Sequence, residues 1–238
     1  YLGRKRLGDW KDLHFMIEGN VINQLQTIFL YDWYLETKKI AMKKEYYPNL
    51  KADNSKKTRL QTVYSGPETE WETIKQTYFM MITNAKKNVW IYTPYFIPDE
   101  SLSMALKNAA LAGVDVKIIV PSRPDHIVPF HASRTYFGEL LKAGAKIYEY
   151  LPGFIHSKAV MIDGIIANAG TANFDIRSFN VNFDVNLIFY DDDIVNKIEA
   201  DFQKSLKQSK EITYEEFTKR KISTKFKQSL ARLFSPIL

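Results

Sequence analysis

Residues 60–210 predict an α/β fold, a mixed sheet flanked by helices, on three observations. From Leu60 to Tyr150, short β-branched runs alternate with stretches of helical periodicity, the rhythm of strand–helix–strand units. Gly113 and Gly144 each follow a helical stretch and precede a strand, where a glycine in the left-handed region ends a helix without a steric penalty. After residue 150 strands succeed one another without intervening helices, so the sheet is mixed rather than parallel throughout.

In chain order, residues 20–38 (NVINQLQTIFLYDWYLETK) open on Asn20, a helix-capping residue, and place Val21, Leu25, Ile28, Phe29 and Trp33 at helical spacing. Residues 43–59 are polar and lysine-rich, interrupted by Pro48, and are expected to connect two lobes. Next come a strand near 60–65, a helix over 68–86, a strand at 88–92, a helix over 99–112 and a strand at 114–120. A helix over 131–143 and a strand at 145–150 complete the alternation. Strands about 155–162, 165–170 and 183–190 precede a helix over 192–209. The tail, 211–238, is basic and ends in KFKQSLARLFSPIL, an amphipathic helix stopped by Pro236.

Composition narrows the chemistry. The 238 residues are 45% hydrophobic, enough for a packed core, and include no cysteine, which excludes disulfides, thiolate metal centres and thiol nucleophiles. A net charge of +6 suits anionic partners, phospholipid head groups and nucleic acid alike. Apolar runs such as 88–92 and 114–120 fall far short of the roughly 20 residues a membrane span needs. The opening YLGRKRLGDW has neither an initiator methionine nor a signal-peptide pattern and reads as the inside of a domain, so an N-terminal truncation is expected.

Residues 10–29 resemble 183–202 in their order of acid, strand, turn and amphipathic helix, which pairs Asp12 with Asp184. If this is a repeat, the element before Asp184 should have a partner upstream of Asp12. That element is the segment IHSKAVMID (155–163), apolar enough for a strand in which His156 and Lys158, two apart, project together. Asn173 follows within GTAN, where a glycine turn can return an amide beside the strand. An imidazole that attacks phosphorus or moves a proton, with an ammonium and an amide on the non-bridging oxygens, meets the needs of phosphoryl transfer without a metal. In-line displacement places nucleophile and leaving group on opposite sides of phosphorus, so a second histidine is required.

The spacing His156-x-Lys158-x4-Asp163-x6-Gly170-Thr171-x-Asn173 resembles the HKD signature of the phospholipase D superfamily, with Thr171 where many relatives carry Ser. SGPETEW, TPYFIPDE, AALAGVDVKIIVPSRPDH, ELLKAGAKIYEYLPGFIHSKA, GTANFDIRSF and ARLFSPIL resemble the bacterial cardiolipin synthases in particular, and the likeness covers nearly the whole chain. The resemblance implies two pseudo-symmetric α/β lobes, each giving one HKD motif to a shared site. The chain would hold one complete lobe (60–210), the tail end of the first lobe (1–42) and the tail, but not the first lobe's HKD motif.

It also implies a phosphohistidine intermediate, with His156 as the acid and base of the second motif and Lys158 and Asp163 beside it as catalytic residues. Lys158, Asn173 and Thr171 would bind phosphate, and Asp184 would orient the histidine, although many relatives have Glu there. The expected substrate is phosphatidylglycerol at an anionic membrane surface, converted to cardiolipin and glycerol. No metal, cofactor or nucleic acid is implied. The parent protein would be held at the cell membrane by N-terminal helices, and the chain alone would be inactive. Two other functions fit the residues: a nuclease or phosphodiesterase formed by a homodimer of single-motif chains, and an inactive fragment that binds anionic membranes.

Several residues carry a plainer reading beside the functional one. Asp163 precedes Gly164 in a strand-to-strand turn that favours Asp-Gly for backbone reasons alone. His126 and His131 are separated by Pro129, which breaks a helical metal pair, and His14 has apolar neighbours and no assigned role. Trp90 and Tyr92 suit the core, whereas Tyr95 and Phe96 suit the mouth of a site. The lysines and arginines of residues 204–232 fit a solvated helix face as well as a membrane-facing one.

Overall fold

The computed structural model describes residues 7–41, 43–48 and 58–235. The expectations for the opening YLGRKR, for most of the lysine-rich connection and for Pro236 lie outside the described residues. In chain order the elements are β1 (Trp10–Lys11), α1 (Val21–Thr37), β2 (Leu60–Ser65), α2 (Thr73–Asn84), β3 (Asn88–Tyr92), β4 (Phe96–Ile97) and α3 (Glu100–Leu111). Then come β5 (Asp115–Pro121), α4 (Ile127–Ser133), α5 (Phe137–Lys142), β6 (Lys146–Tyr150), β7 (Phe154–Ile155), β8 (Ala159–Ile162) and β9 (Ile166–Gly170). The last are β10 (Phe174–Asp175), α6 (Ile176–Asn180), β11 (Asp184–Phe189), α7 (Asp192–Leu206), β12 (Ser209–Ile212), α8 (Tyr214–Thr218) and α9 (Ile222–Arg232).

Eight strands form one sheet in the order β12-β6-β5-β3-β8-β9-β11-β2. The strands that helices connect, β3, β5 and β6, run parallel; β8, β9 and β11 run antiparallel, β8 and β9 as a hairpin and β11 after β10 and the short α6. Both faces of the central strands are covered, which is why they read as almost unbroken apolar runs. Val89 and Ile91 of β3 face α2 and α3 in a core with Ile74, Tyr78 and Leu106. Tyr92 and Trp90 point the other way, onto Phe202 of α7. Residues 13–17 lie over that second face through Leu13, Phe15 and Ile17.

Local signals explain most element ends. Asp99 and Asp191 cap α3 and α7 by accepting from the backbone N–H of Leu102 (2.9 Å) and Ile194 (3.3 Å). Gly113 and Gly144 adopt φ of 90° and 99°, the left-handed ends expected of them. Asn20 occupies the cap of α1 but makes no side-chain cap hydrogen bond. The helix expected over 131–143 is two short ones. Its interruption frees the Arg134 guanidinium to pair with Glu149 and to donate to the Pro121 carbonyl (3.3 Å). The strand expected over 155–162 is also broken. His156, Ser157 and Lys158 lie in irregular backbone between β7 and β8, joined to the main sheet where the Lys158 carbonyl accepts from the Gly170 N–H of β9.

Candidate active site

Two small parallel pairings outside the main sheet build the site. The first joins β1 to β7, with Lys11 opposite Ile155. It is fastened by hydrogen bonds from Phe154 N to Asp9 O (3.1 Å), His156 N to Lys11 O (2.7 Å) and Ser157 Oγ to Lys11 O (3.3 Å), and by an ion pair between Lys11 and Asp201. Gly153 permits the approach, because a Cβ there would stand 2.0 Å from the Asp9 carbonyl oxygen. Asp12, the next residue, is thereby set against His156, with Oδ2 2.8 Å from Nδ1.

Burial pulls the Asp12 carboxyl upward, but the His156 hydrogen bond, the charges of Lys158 and His156 and the Leu13 N–H outweigh it and leave it below its ordinary value. As an ionised acceptor it holds the proton on Nδ1 and leaves Nε2 as the ring nitrogen with no protein hydrogen bond among the described residues. Trp10 and Phe154 pack obliquely on the imidazole, with ring centres 4.9 and 6.3 Å away. Asp12, rather than Asp184, is thus the carboxylate hydrogen-bonded to His156. Asp184 starts β11, two strands away from β8, and its Oδ1 accepts instead from Thr171 Oγ1 at 2.6 Å. Its other oxygen is buried and has no hydrogen-bond partner.

Lys158 is 8% exposed and donates from Nζ to the His156 carbonyl oxygen. Burial pushes its ammonium down to about 8 despite the opposing pull of Asp12, Asp184, Asp175 and Asp125. The second small pairing, β10 with β4, seats Asp175 in this group. Burial raises the Asp175 carboxyl to about 6, although Ser178 and Asn173 hydrogen-bond to it. Asn173 is thus held by Asp175, and its backbone N–H donates to Ser178 Oγ at 3.0 Å, while its Oδ1 is buried and unpartnered. The Thr171 hydroxyl gives its proton to Asp184 and accepts from Val185 N at 3.0 Å, so it serves Asp184 rather than presenting a donor to phosphate.

Asp163 stands apart from this cluster. Four residues of β8 separate it from the His156–Lys158 segment, so Asp163 lies roughly 17 Å of extended chain beyond Lys158. Its carboxylate accepts from the backbone N–H groups of Lys86 (2.8 Å), Lys87 (2.7 Å) and Asn88 (3.0 Å), fastening the α2–β3 connection to the β8–β9 turn. With φ of 57° and 71°, Asp163 and Gly164 form a hairpin turn of the Asp-Gly kind. The described contacts of the Asp163 carboxylate are backbone ones in this turn, and none of them reaches His156 or Lys158. Burial acts to raise its carboxyl, but the three backbone donors and Lys87 hold it below its ordinary value. Its contribution to stability is thus present above the usual carboxylate range and lost as pH falls through the folded value. Asp163→Ala should lower unfolding stability by about 1–3 kcal/mol in a denaturant titration, with the geometry at His156 unchanged.

Phe96, expected at a mouth, is fully buried and stacks on Phe174, because β4 turns inward to pair with β10. Tyr95 remains half-buried and its hydroxyl bonds to Asp125. His126 is exposed, and His131 is pushed below its usual value by burial, with Arg134 and Lys227 adding to the effect. Among the described residues no group of three or more histidines and acids is placed to hold a metal ion. Asp12, Asp125 and Asp175 join the site without having been singled out for it from the sequence, although the internal similarity had already paired Asp12 with Asp184.

Residues 78–206 match the family described as cardiolipin synthase, PLD-like domain. The whole chain is 47% identical over 239 residues to a cardiolipin synthase of Geobacillus sp. (strain WCH70) and covers 48% of it, so the chain spans about half the length of the curated relatives it matches. Among solved structures, phosphatidylserine synthase of Haemophilus influenzae shares the fold with a TM-score of 0.61 at 15% identity, over 87% of this chain and 50% of that one. Nuc of Salmonella typhimurium, a phospholipase D family member, gives a TM-score of 0.56 at 19% identity over 66% of this chain and 99% of that one.

Proposed function

The chain belongs to the cardiolipin synthase, PLD-like domain family, and from that premise we propose that it carries one half of a two-histidine site that moves a phosphatidyl group from one phosphatidylglycerol to the hydroxyl of another. The observation that carries this reading is the His156–Asp12 pair, which leaves one imidazole nitrogen open beside the buried ammonium of Lys158. The other histidine comes from a second lobe. It attacks phosphorus as the His156 imidazolium gives its Nε2 proton to the departing glycerol oxygen and keeps the Nδ1 proton held by Asp12, so a P–N bond forms and a P–O bond breaks. The hydroxyl of the second phosphatidylglycerol then returns a proton to His156 and attacks the phosphohistidine, which restores both rings and yields cardiolipin. Lys158 neutralises the non-bridging oxygens through both steps, and the Asn173 amide lies on the same side.

Two features support a second lobe. Residues 13–18 alternate in burial like a strand, yet none of them pairs with a strand among the described residues, and Met16 on the open side is 90% exposed. Phe29 and Trp33 of α1 are also exposed, the apolar surface expected where another lobe packs. The internal similarity that pairs Asp12 with Asp184 gives Asp184 a matching task. Its unpartnered oxygen would accept from the second lobe's histidine, as Asp12 accepts from His156.

Lys158 gives the reaction an alkaline limit. As pH rises through about 8 the ammonium loses the charge that offsets the phosphate, and the transfer rate should fall. In Lys158→Arg, whose guanidinium keeps its charge, a pH–rate profile should show that fall displaced to higher pH. Stability runs with the opposite sign. The unfolded chain holds this proton more tightly, so stability rises between about 8 and the ordinary lysine value of 10.5. Thin-layer separation of products from labelled phosphatidylglycerol, with the chain joined to the other half of its relatives' length, should show cardiolipin and glycerol. Phosphatidate alone would contradict transfer to a lipid hydroxyl, and cleavage of nucleic acid in chelator without lipid turnover would point to the nuclease reading.

A further inference from the structure

Helix α9 faces the wrong way for an ordinary surface helix. Its side toward the protein carries Thr224, Gln228, Ala231 and, one turn on, Ser235, packed over α4 through Ala231 and Ala132. Gln228 is only 3% exposed and accepts from the Arg220 guanidinium. The opposite side carries the large apolar residues: Ile222 is 85% exposed, Phe226 70% and Leu233 74%, with Leu230 and Phe234 between and beyond them. At 3.6 residues per turn these five form one stripe directed away from the fold. A globular surface helix buries such a stripe.

Charge identifies what the stripe meets. On the same helical projection the exposed Lys225 flanks the stripe on one side and the exposed Lys227 on the other. An outward apolar stripe with a lysine on each flank suits a surface whose interior is hydrocarbon and whose rim is anionic. Another protein face would have to bury Phe226 and Leu233 beside lysines it must desolvate. The supporting helix, α4, leaves Ile127 and Val128 exposed, and Asp125, two residues before it, acts electrostatically on Lys158. The stripe is therefore joined to the candidate site through one short helix.

We propose that α9 lies in the head-group layer of an anionic phospholipid bilayer, with Ile222, Phe226, Leu230 and Leu233 inserted and the lysines on the lipid phosphates. Such contact would hold whether or not His156 transfers phosphatidyl groups. The test is co-sedimentation of the 238-residue chain with phosphatidylcholine vesicles with and without phosphatidylglycerol. It compares the chain with the doubles Phe226→Ser/Leu233→Ser and Lys225→Glu/Lys227→Glu, and with His156→Ala. Because the four substituted tail positions are exposed, each double should melt like the parent. Binding should require phosphatidylglycerol, fall about tenfold or more in each double and stay unchanged in His156→Ala. Equal binding by the doubles would overturn the proposal. So would a dimer on gel filtration that Phe226→Ser/Leu233→Ser dissociates, with no vesicle binding by the parent, since the stripe would then be covered by a second copy.

Discussion

In the chain joined to the other half of its relatives' length, His156→Ala should cut phosphatidyl transfer by roughly 10²- to 10⁴-fold, the range that loss of a positioned acid and base removes. Within the 238 residues no other imidazole is placed to replace it. His14 and His126 are exposed elsewhere, and His131 sits between Arg134 and Lys227, where a proton is disfavoured. The leaving group tells which role is lost. Glycerol departs as a strongly basic alkoxide unless protonated, whereas p-nitrophenol departs without help. The His156→Ala defect should therefore shrink by about tenfold or more on a p-nitrophenyl phosphodiester. An equal defect on both substrates would make His156 the nucleophile.

Asp12→Asn should cost about two to four orders of magnitude in turnover with little change in KM. The amide keeps the shape but loses the charge that stabilises an imidazolium, and when it donates to Nδ1 it moves the ring proton to the wrong nitrogen. The depressed carboxyl also sets a sign for pH. Asp12 is ionised and supports the fold above the usual carboxylate range, and that support disappears as pH falls through its folded value. Asn does not titrate, so the acid limb of the pH–rate profile should change shape in Asp12→Asn. A structural substitution that merely loosened the site would lower the rate and leave that limb in place.

Strands such as β3 and β5 are legible because both faces are covered, so their central residues form short apolar runs, Val89–Tyr92 and Ile118–Val120. The divided helix at 127–142 was not, because its break serves an Arg134–Glu149 contact with a strand beyond it in the chain. His156 and Lys158 were marked by spacing alone, although the backbone between them proved irregular. Asp12 was missed as the histidine's partner because the bond spans 144 residues and depends on a two-residue parallel pairing that leaves no periodic signal. Asp163 was readable as a turn residue, and its positive φ together with its three backbone donors makes that the reading the structure carries.

The half-site is tested most directly by measuring phosphatidylglycerol turnover by the 238-residue chain alone and again after the other half of its relatives' length is restored. The chain alone should give no cardiolipin above the His156→Ala background, and restoration should produce cardiolipin that depends on both His156 and a second histidine. Robust transfer by the chain as a monomer, or turnover after restoration that survives loss of His156, would contradict a shared two-histidine site built on His156 and Asp12.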